Sequence, residues 1–133
     1  MATTTATITL SSADLTGDAL SLSSTATLTK AGTLTGLSQT TGIGRKTTTA
    51  TSQYILFDGD AYASSAHKVY LKNTSTVATE YFTIEINSEQ MGKLYAGDWC
   101  FFPWEANADT NDIKITPSVS TSLTLEYALF IGD

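Results

Sequence analysis

His67 and Cys100 are the residues of this chain best suited to chemistry, and each is the sole member of its type. A Cys–His or Ser–His–Asp device needs the base beside the nucleophile and a third group orienting the base. Cys100 lies in the apolar run Trp99-Cys100-Phe101-Phe102, and His67 opens an alternating run well upstream. Nothing in their spacing joins them. Cys100 is expected to be a buried small hydrophobe, and no residue is expected to be catalytic, so the chain reads as a non-enzyme. Structural zinc asks for about four Cys or His ligands, and one of each is too few. A single cysteine also excludes an intrachain disulfide. No cofactor is expected.

Gly42-Ile43-Gly44-Arg45-Lys46-Thr47 approaches a phosphate-binding loop. That device needs Gly-Lys-Ser/Thr after four spacer residues, then a helix whose N-terminus faces the phosphate. Arg45 breaks the first requirement, and the strand-like Thr47-Thr48-Thr49 fails the second. What remains is a basic loop, mobile or tightly bent at its glycines. Its Arg45 and Lys46 either face solvent or pair with acidic groups on a neighbouring subunit. Asp58 with Asp60, and Asp109 with Asn111 and Asp112, read as solvated turns. Calcium takes six to eight oxygens, and neither cluster continues into an EF-hand loop. Asn73-Thr74-Ser75 matches a glycosylation sequon but is expected only to turn the chain.

The elements that would carry these residues follow from composition and alternation. The chain has 133 residues, enough for one domain, or one domain plus an arm. Charged residues are 15% and mean hydropathy is -0.01, against about 25% charge in an average domain. Thr and Ser take over the polar role, and Thr favours extended backbone because it is β-branched. The net charge is -6 and the pI about 4.5. A nucleic-acid binder would show a basic face, whereas Lys30, Arg45, Lys46, Lys68, Lys72, Lys93 and Lys114 are scattered. No apolar run is long enough to span a bilayer, so neither nucleic acid nor membrane is an expected partner. Met1 to Leu10 has no positive charge and no apolar block, so no secretory signal is expected.

Residues 1–46 contain no aromatic side chain, yet Ile8 and Leu10 alternate with Thr7 and Thr9. Leu20, Leu22, Ala26 and Leu28 likewise share one parity. Such patterning predicts half-buried strand, broken by turns at Gly17-Asp18 and Ala31-Gly32. Ser11 to Leu20 has the caps for one helical turn, weakened by Gly17. Residues 1–46 are therefore expected to be a Thr/Ser-rich N-terminal arm, and residues 47–133 a compact domain. In that domain, strands are predicted at Thr48–Phe57, His67–Asn73, Glu80–Asn87, Met91–Tyr95, Trp99–Trp104, Ile113–Thr116 and Ser122–Ile131. Trp99–Trp104 is continuously apolar, which predicts burial on both faces. Short strands with turns every eight to twelve residues predict an all-β sandwich or barrel. The aromatics all lie after residue 53 and are expected mainly in the core. Tyr95 and Trp104 flank turns and are expected to be the exposed ones. With Arg45 and Lys46 they are the candidate assembly contacts.

The second half resembles small virion structural proteins of tailed phages of the marine and cyanobacterial type. The resembling residues are His67-Lys68-Val69-Tyr70-Leu71-Lys72-Asn73, Glu80-Tyr81-Phe82-Thr83-Ile84 and Gly92-Lys93-Leu94-Tyr95-Ala96-Gly97-Asp98-Trp99. Phe102-Pro103-Trp104, Asp112-Ile113-Lys114-Ile115 and Leu125-Glu126-Tyr127-Ala128-Leu129-Phe130 continue the pattern. The resemblance implies a β-sandwich, often jelly-roll-like, present in many copies on the particle, with no catalytic residues to carry over. It implies capsid decoration or cementing, with the major capsid protein or other virion proteins as partners. A homo-oligomer, a trimer first, made in the host cytoplasm and ending in the virion, is expected. Neck, tail and fibre-base proteins share that class, and a carbohydrate-binding module is the other alternative.

Overall fold

A computed structural model describes residues 3–62 and 66–133 and is all-β. Eleven strands form among the described residues: β1 Thr4–Ser12, β2 Leu20–Leu28, β3 Gln39–Thr40, β4 Gly44–Thr48, β5 Tyr54–Phe57, β6 His67–Asn73, β7 Tyr81–Ile86, β8 Glu89–Tyr95, β9 Trp99–Trp104, β10 Ile113–Pro117 and β11 Leu123–Ile131. One short 3-10 turn, Asp60–Tyr62, follows β5. Two antiparallel sheets pack face to face as a sandwich, ordered β5-β10-β7-β8 and β4-β11-β6-β9, with β3 continuing the β4 edge.

Alternation dictates the layers. Along β6, His67, Val69, Leu71 and Asn73 are buried, while Lys68, Tyr70 and Lys72 face outward. Along β11, Leu123, Leu125 and Leu129 point into the core. Phe82 and Ile84 of β7 and Ile113 and Ile115 of β10 meet them from the other sheet. Each fully buried side chain of this kind contributes about 1.5–3 kcal/mol. The turns are equally local in origin. Asn87 and Ser88 both take positive φ between β7 and β8, as a two-residue hairpin of matching twist requires.

Several expectations change here. The run expected as one strand from Thr48 to Phe57 is two, because β4 pairs β11 in one sheet and β5 pairs β10 in the other. The chain must cross between sheets after Thr48. β4 also spans the expected boundary at residue 46, so the sandwich takes in chain from Gln39 onward. Gly42, at φ 69°, bulges that edge. There the Thr41 backbone N–H donates to Leu129 O at 3.0 Å, and the Thr41 hydroxyl accepts the Leu129 N–H at 2.9 Å. Ser11–Leu20 forms no helix. The Ser12 hydroxyl accepts the Leu15 N–H at 3.0 Å and bends the chain instead.

β1 and β2 form a separate two-stranded antiparallel arm. Direct cross-strand partners share a face. One face holds Thr5/Thr27, Thr7/Thr25, Thr9/Ser23 and Ser11/Ser21, and the other holds Ala6/Ala26, Ile8/Ser24 and Leu10/Leu22, with Leu28 and Leu20 at its ends. Hydroxyls pair across the first face, as at Thr7 and Thr25, 2.8 Å apart. At the arm's base, Ala31 N–H donates to Gly132 O at 2.7 Å and ties the arm to the end of β11.

Candidate interaction surface

His67 and Cys100 are both built into the sandwich. His67 is 1% exposed. Its Nδ1 accepts the Gly132 N–H at 3.2 Å, which leaves Nε2–H to donate to Tyr62 O at 2.9 Å. The Asp133 carboxylate stands 3.7 Å from Nε2. Rings of Tyr62 and Trp104 lie 6.3 and 5.7 Å from the imidazole. Nδ1 holds the C-terminal segment and Nε2 the turn after β5, and no side-chain hydroxyl or thiol of the described residues bonds to either nitrogen. Cys100 pairs with Leu71 on β6, several residues along the sheet from His67. Burial pushes its thiol up to about 11, which leaves almost no thiolate at neutral pH.

The acidic turns are brought together but spent on backbone. Asp112 accepts the Gly59 N–H at 2.8 Å, and Asp60 accepts the Asp109 N–H at 2.7 Å. These two bonds stitch the β5–β6 loop to the β9–β10 loop. Among the described residues, no three His, Cys, Asp or Glu side chains gather closely enough to hold a metal ion. Asn73 is fully buried. Its amide donates to Glu80 O and Leu94 O at 3.2 and 3.0 Å, and its oxygen accepts the Ser75 N–H at 2.9 Å. A side chain so enclosed is not a glycan acceptor.

The candidate assembly residues part company. Trp104, expected exposed, is 2% exposed, and its indole N–H donates to Asn111 O at 2.8 Å. Its parity in β9 points inward, which overrides its place beside a turn. Tyr95 is exposed and packs against Tyr81 at 5.0 Å between ring centres. Arg45 reaches within its own chain to Glu126, at 2.7 Å. The Tyr70 hydroxyl donates to the same carboxyl at 3.0 Å. Tyr70 and then Arg45 hold the Glu126 carboxyl below the usual carboxylate range. Lys46 sits over the Tyr54 ring at 4.2 Å. Arg45 and Lys46 therefore belong to the β4 edge of the sheet, and Gly44 leaves no room for a loop: a Cβ there would lie 2.8 Å from the Tyr127 ring.

What remains unpartnered is a surface that sequence reasoning missed. β9 was expected to be buried on both faces, but Trp99, Phe101 and Pro103 are exposed and only the alternate residues point inward. β9 is an edge strand, and Pro103, which cannot donate to a ladder, was the signal for that. Trp99, Phe101 and Tyr70 face the apolar side of the arm across an open groove of about 900 Å³. Ala6, Ile8, Leu10, Ala26 and Leu28 form its other wall. Lys68 and Lys72 project on the same outer face of β6, as cross-strand partners of Pro103 and Trp99. Among the described residues, no helix is long and apolar enough to cross a membrane. No protein-family model matches the chain, and no curated protein matches it.

Proposed function

We propose that this chain is a non-enzymatic structural protein of a tailed-phage virion, and that it decorates the capsid shell in many copies. The observation that carries the reading is the arm. A hairpin with one face of Thr and Ser and one of Leu, Ile and Ala is built for contact. Most of its apolar face is unburied within its own chain. A sandwich whose histidine and carboxyl groups serve structure fits a role based on repeated contacts. The resemblance of the second half to small virion proteins points the same way.

Strand order supports a jelly-roll reading of the sandwich. β4 pairs β11, β5 pairs β10, β6 pairs β9 and β7 pairs β8. That is one long antiparallel hairpin rolled into two sheets, the winding of a jelly roll. The partners under this reading are the major capsid protein or other virion proteins, and further copies of the chain, as a trimer first. The protein is made in the host cytoplasm and ends in the particle. Neck, tail and fibre-base positions differ from decoration in copy number.

A carbohydrate-binding module has one supporting observation, the exposed Trp99 and Phe101. Tyr95 does not extend that platform, since it lies on the outer side of the other sheet. Quantitative mass spectrometry of purified particles separates these readings. A ratio near one copy per major shell protein, or one per local three-fold, is expected for decoration. A few copies per particle would move the protein to neck, tail or fibre, and absence would overturn the virion reading and leave glycan titration of Trp99 fluorescence as the next test.

A further inference from the structure

We propose that the apolar tip of the arm seats on the outer face of a second copy, at Trp99 and Phe101, so that copies link arm to face. The inference rests on the reading of the chain as a many-copy structural protein and names the surface by which copies meet.

Burial along the arm is graded. Leu28, at the base, is 7% exposed and lines the groove, whereas Leu20 and Leu22, nearer the tip and outside the groove lining, are 40% and 48% exposed. The chain's own domain covers the base and leaves the tip. The receiving face has the opposite deficit: Trp99 is 49% and Phe101 36% exposed. Length explains why one chain cannot satisfy both. Each arm strand has nine residues and β9 has six, so at about 3.3 Å per residue the arm is roughly 10 Å longer than that strand. Its tip is free to reach a neighbour.

Charge favours the same match. The only charges between Thr4 and Leu28 are Asp14 and Asp18, at the tip. Lys68 and Lys72 flank the receiving aromatics against one acid of the groove, Asp98, and Arg45 offsets Glu126 nearby, so the face keeps a net positive charge. Tip and face both leave large apolar side chains about half exposed, and exposed apolar surface rimmed by polar residues marks an interaction site. Each copy gives one tip and receives one. Such a head-to-tail contact closes into a ring when its rotation permits.

The test uses the full-length chain in sedimentation and Trp fluorescence across the micromolar range. Wild type is expected as a closed oligomer. Leu20→Ser/Leu22→Ser, which removes the tip, and Trp99→Asp, which removes the face, are each expected to be monomeric with unchanged circular dichroism. Mixed in equal amounts, they are expected to form a dimer, because each retains the half the other lacks. The tip variant keeps Trp99, and its emission is expected to shift to the red as that indole is uncovered. A monomeric wild type, association surviving both variants, or a mixture that stays monomeric overturns the proposal. A monomeric wild type that still binds particles through its tip overturns this inference and leaves the virion reading standing. An arm-to-face oligomer absent from particles does the reverse.

Discussion

Asn73 ends β6 with its amide inside the sandwich, where it satisfies Glu80 O, Leu94 O and Ser75 N–H together. These three groups belong to the ends of β6, β7 and β8, so one side chain fixes that corner. Asn73→Ala would leave them buried and unpaired, and a loss of about 3 kcal/mol is expected, read from the urea midpoint. Gly59 does comparable work at the opposite end. A Cβ there would meet Asn107 O at 2.4 Å and Thr110 O at 2.5 Å, both backbone. Gly59→Ala must spread the loops that Asp112 and Asp60 tie, and a cost of about 2 kcal/mol is expected. Gly17→Ala, with nothing within 4 Å of the new atom, is the control and is expected to leave the midpoint in place. Glu126 gives the pH dependence. Tyr70 and Arg45 lower its folded pKa below the ordinary 4.5, so its contribution is present above that pH. It is lost as pH falls through the lowered folded value. Arg45 is largely exposed, so the effect is expected to be under about 1 kcal/mol. Glu126→Gln is expected to flatten the slope of stability between pH 5 and 3 by that amount, measured by urea titration at each pH.

At the scale of the element, the arm and the sandwich obey different rules. The arm's strands pair along their whole length, but Leu28 is their one buried side chain. Deleting residues 1–28 is therefore expected to leave the sandwich folded, with a melting temperature within about 3 °C of wild type. A large drop in a monomeric preparation would mean that the arm supports its own domain rather than a neighbour. The arm's two faces were legible in the sequence, because Leu and Ile against Thr and Ser is an unambiguous period of two. β6, β7 and β11 were legible for the same reason, and their observed bounds fall within a residue of the expected ones. β9 was not. Trp99-Cys100-Phe101-Phe102-Pro103-Trp104 is apolar at nearly every position, so alternation carries no information there and parity follows from the partner strand. Trp104 therefore went to the surface on paper and to the core in space, and Trp99 took the reverse course. β4 was hidden differently. Its Gly, Arg, Lys and Thr residues describe an edge strand no better than a loop, and only the pairing with β11 decides.

The whole molecule is organised by pairing early chain with late chain. β4 at Gly44–Thr48 lies against β11 at Leu123–Tyr127, and β5 lies against β10. Only β7 and β8 are close neighbours in sequence within the sandwich. Closing such loops costs chain entropy before the core repays it. The hairpin of β7 and β8, with Asn87 and Ser88 in a favourable turn, is the local piece from which pairing can spread. β10 pairs β7 and β9 pairs β6 over longer separations, and β11 with β4 joins the most distant segments. Trp104 reports this assembly, since its ring is buried among Phe57, Tyr62 and His67, which come from strands and loops distant in sequence. Refolding followed by Trp104 fluorescence in a Trp99→Phe background is expected on the order of milliseconds to seconds, as for other sandwiches. Because β1 and β2 pair with each other and with no other strand among the described residues, removing residues 1–28 is expected to leave that rate unchanged. Submillisecond refolding would contradict the closure argument, and a rate that falls with the arm's removal would place the arm inside the folding unit.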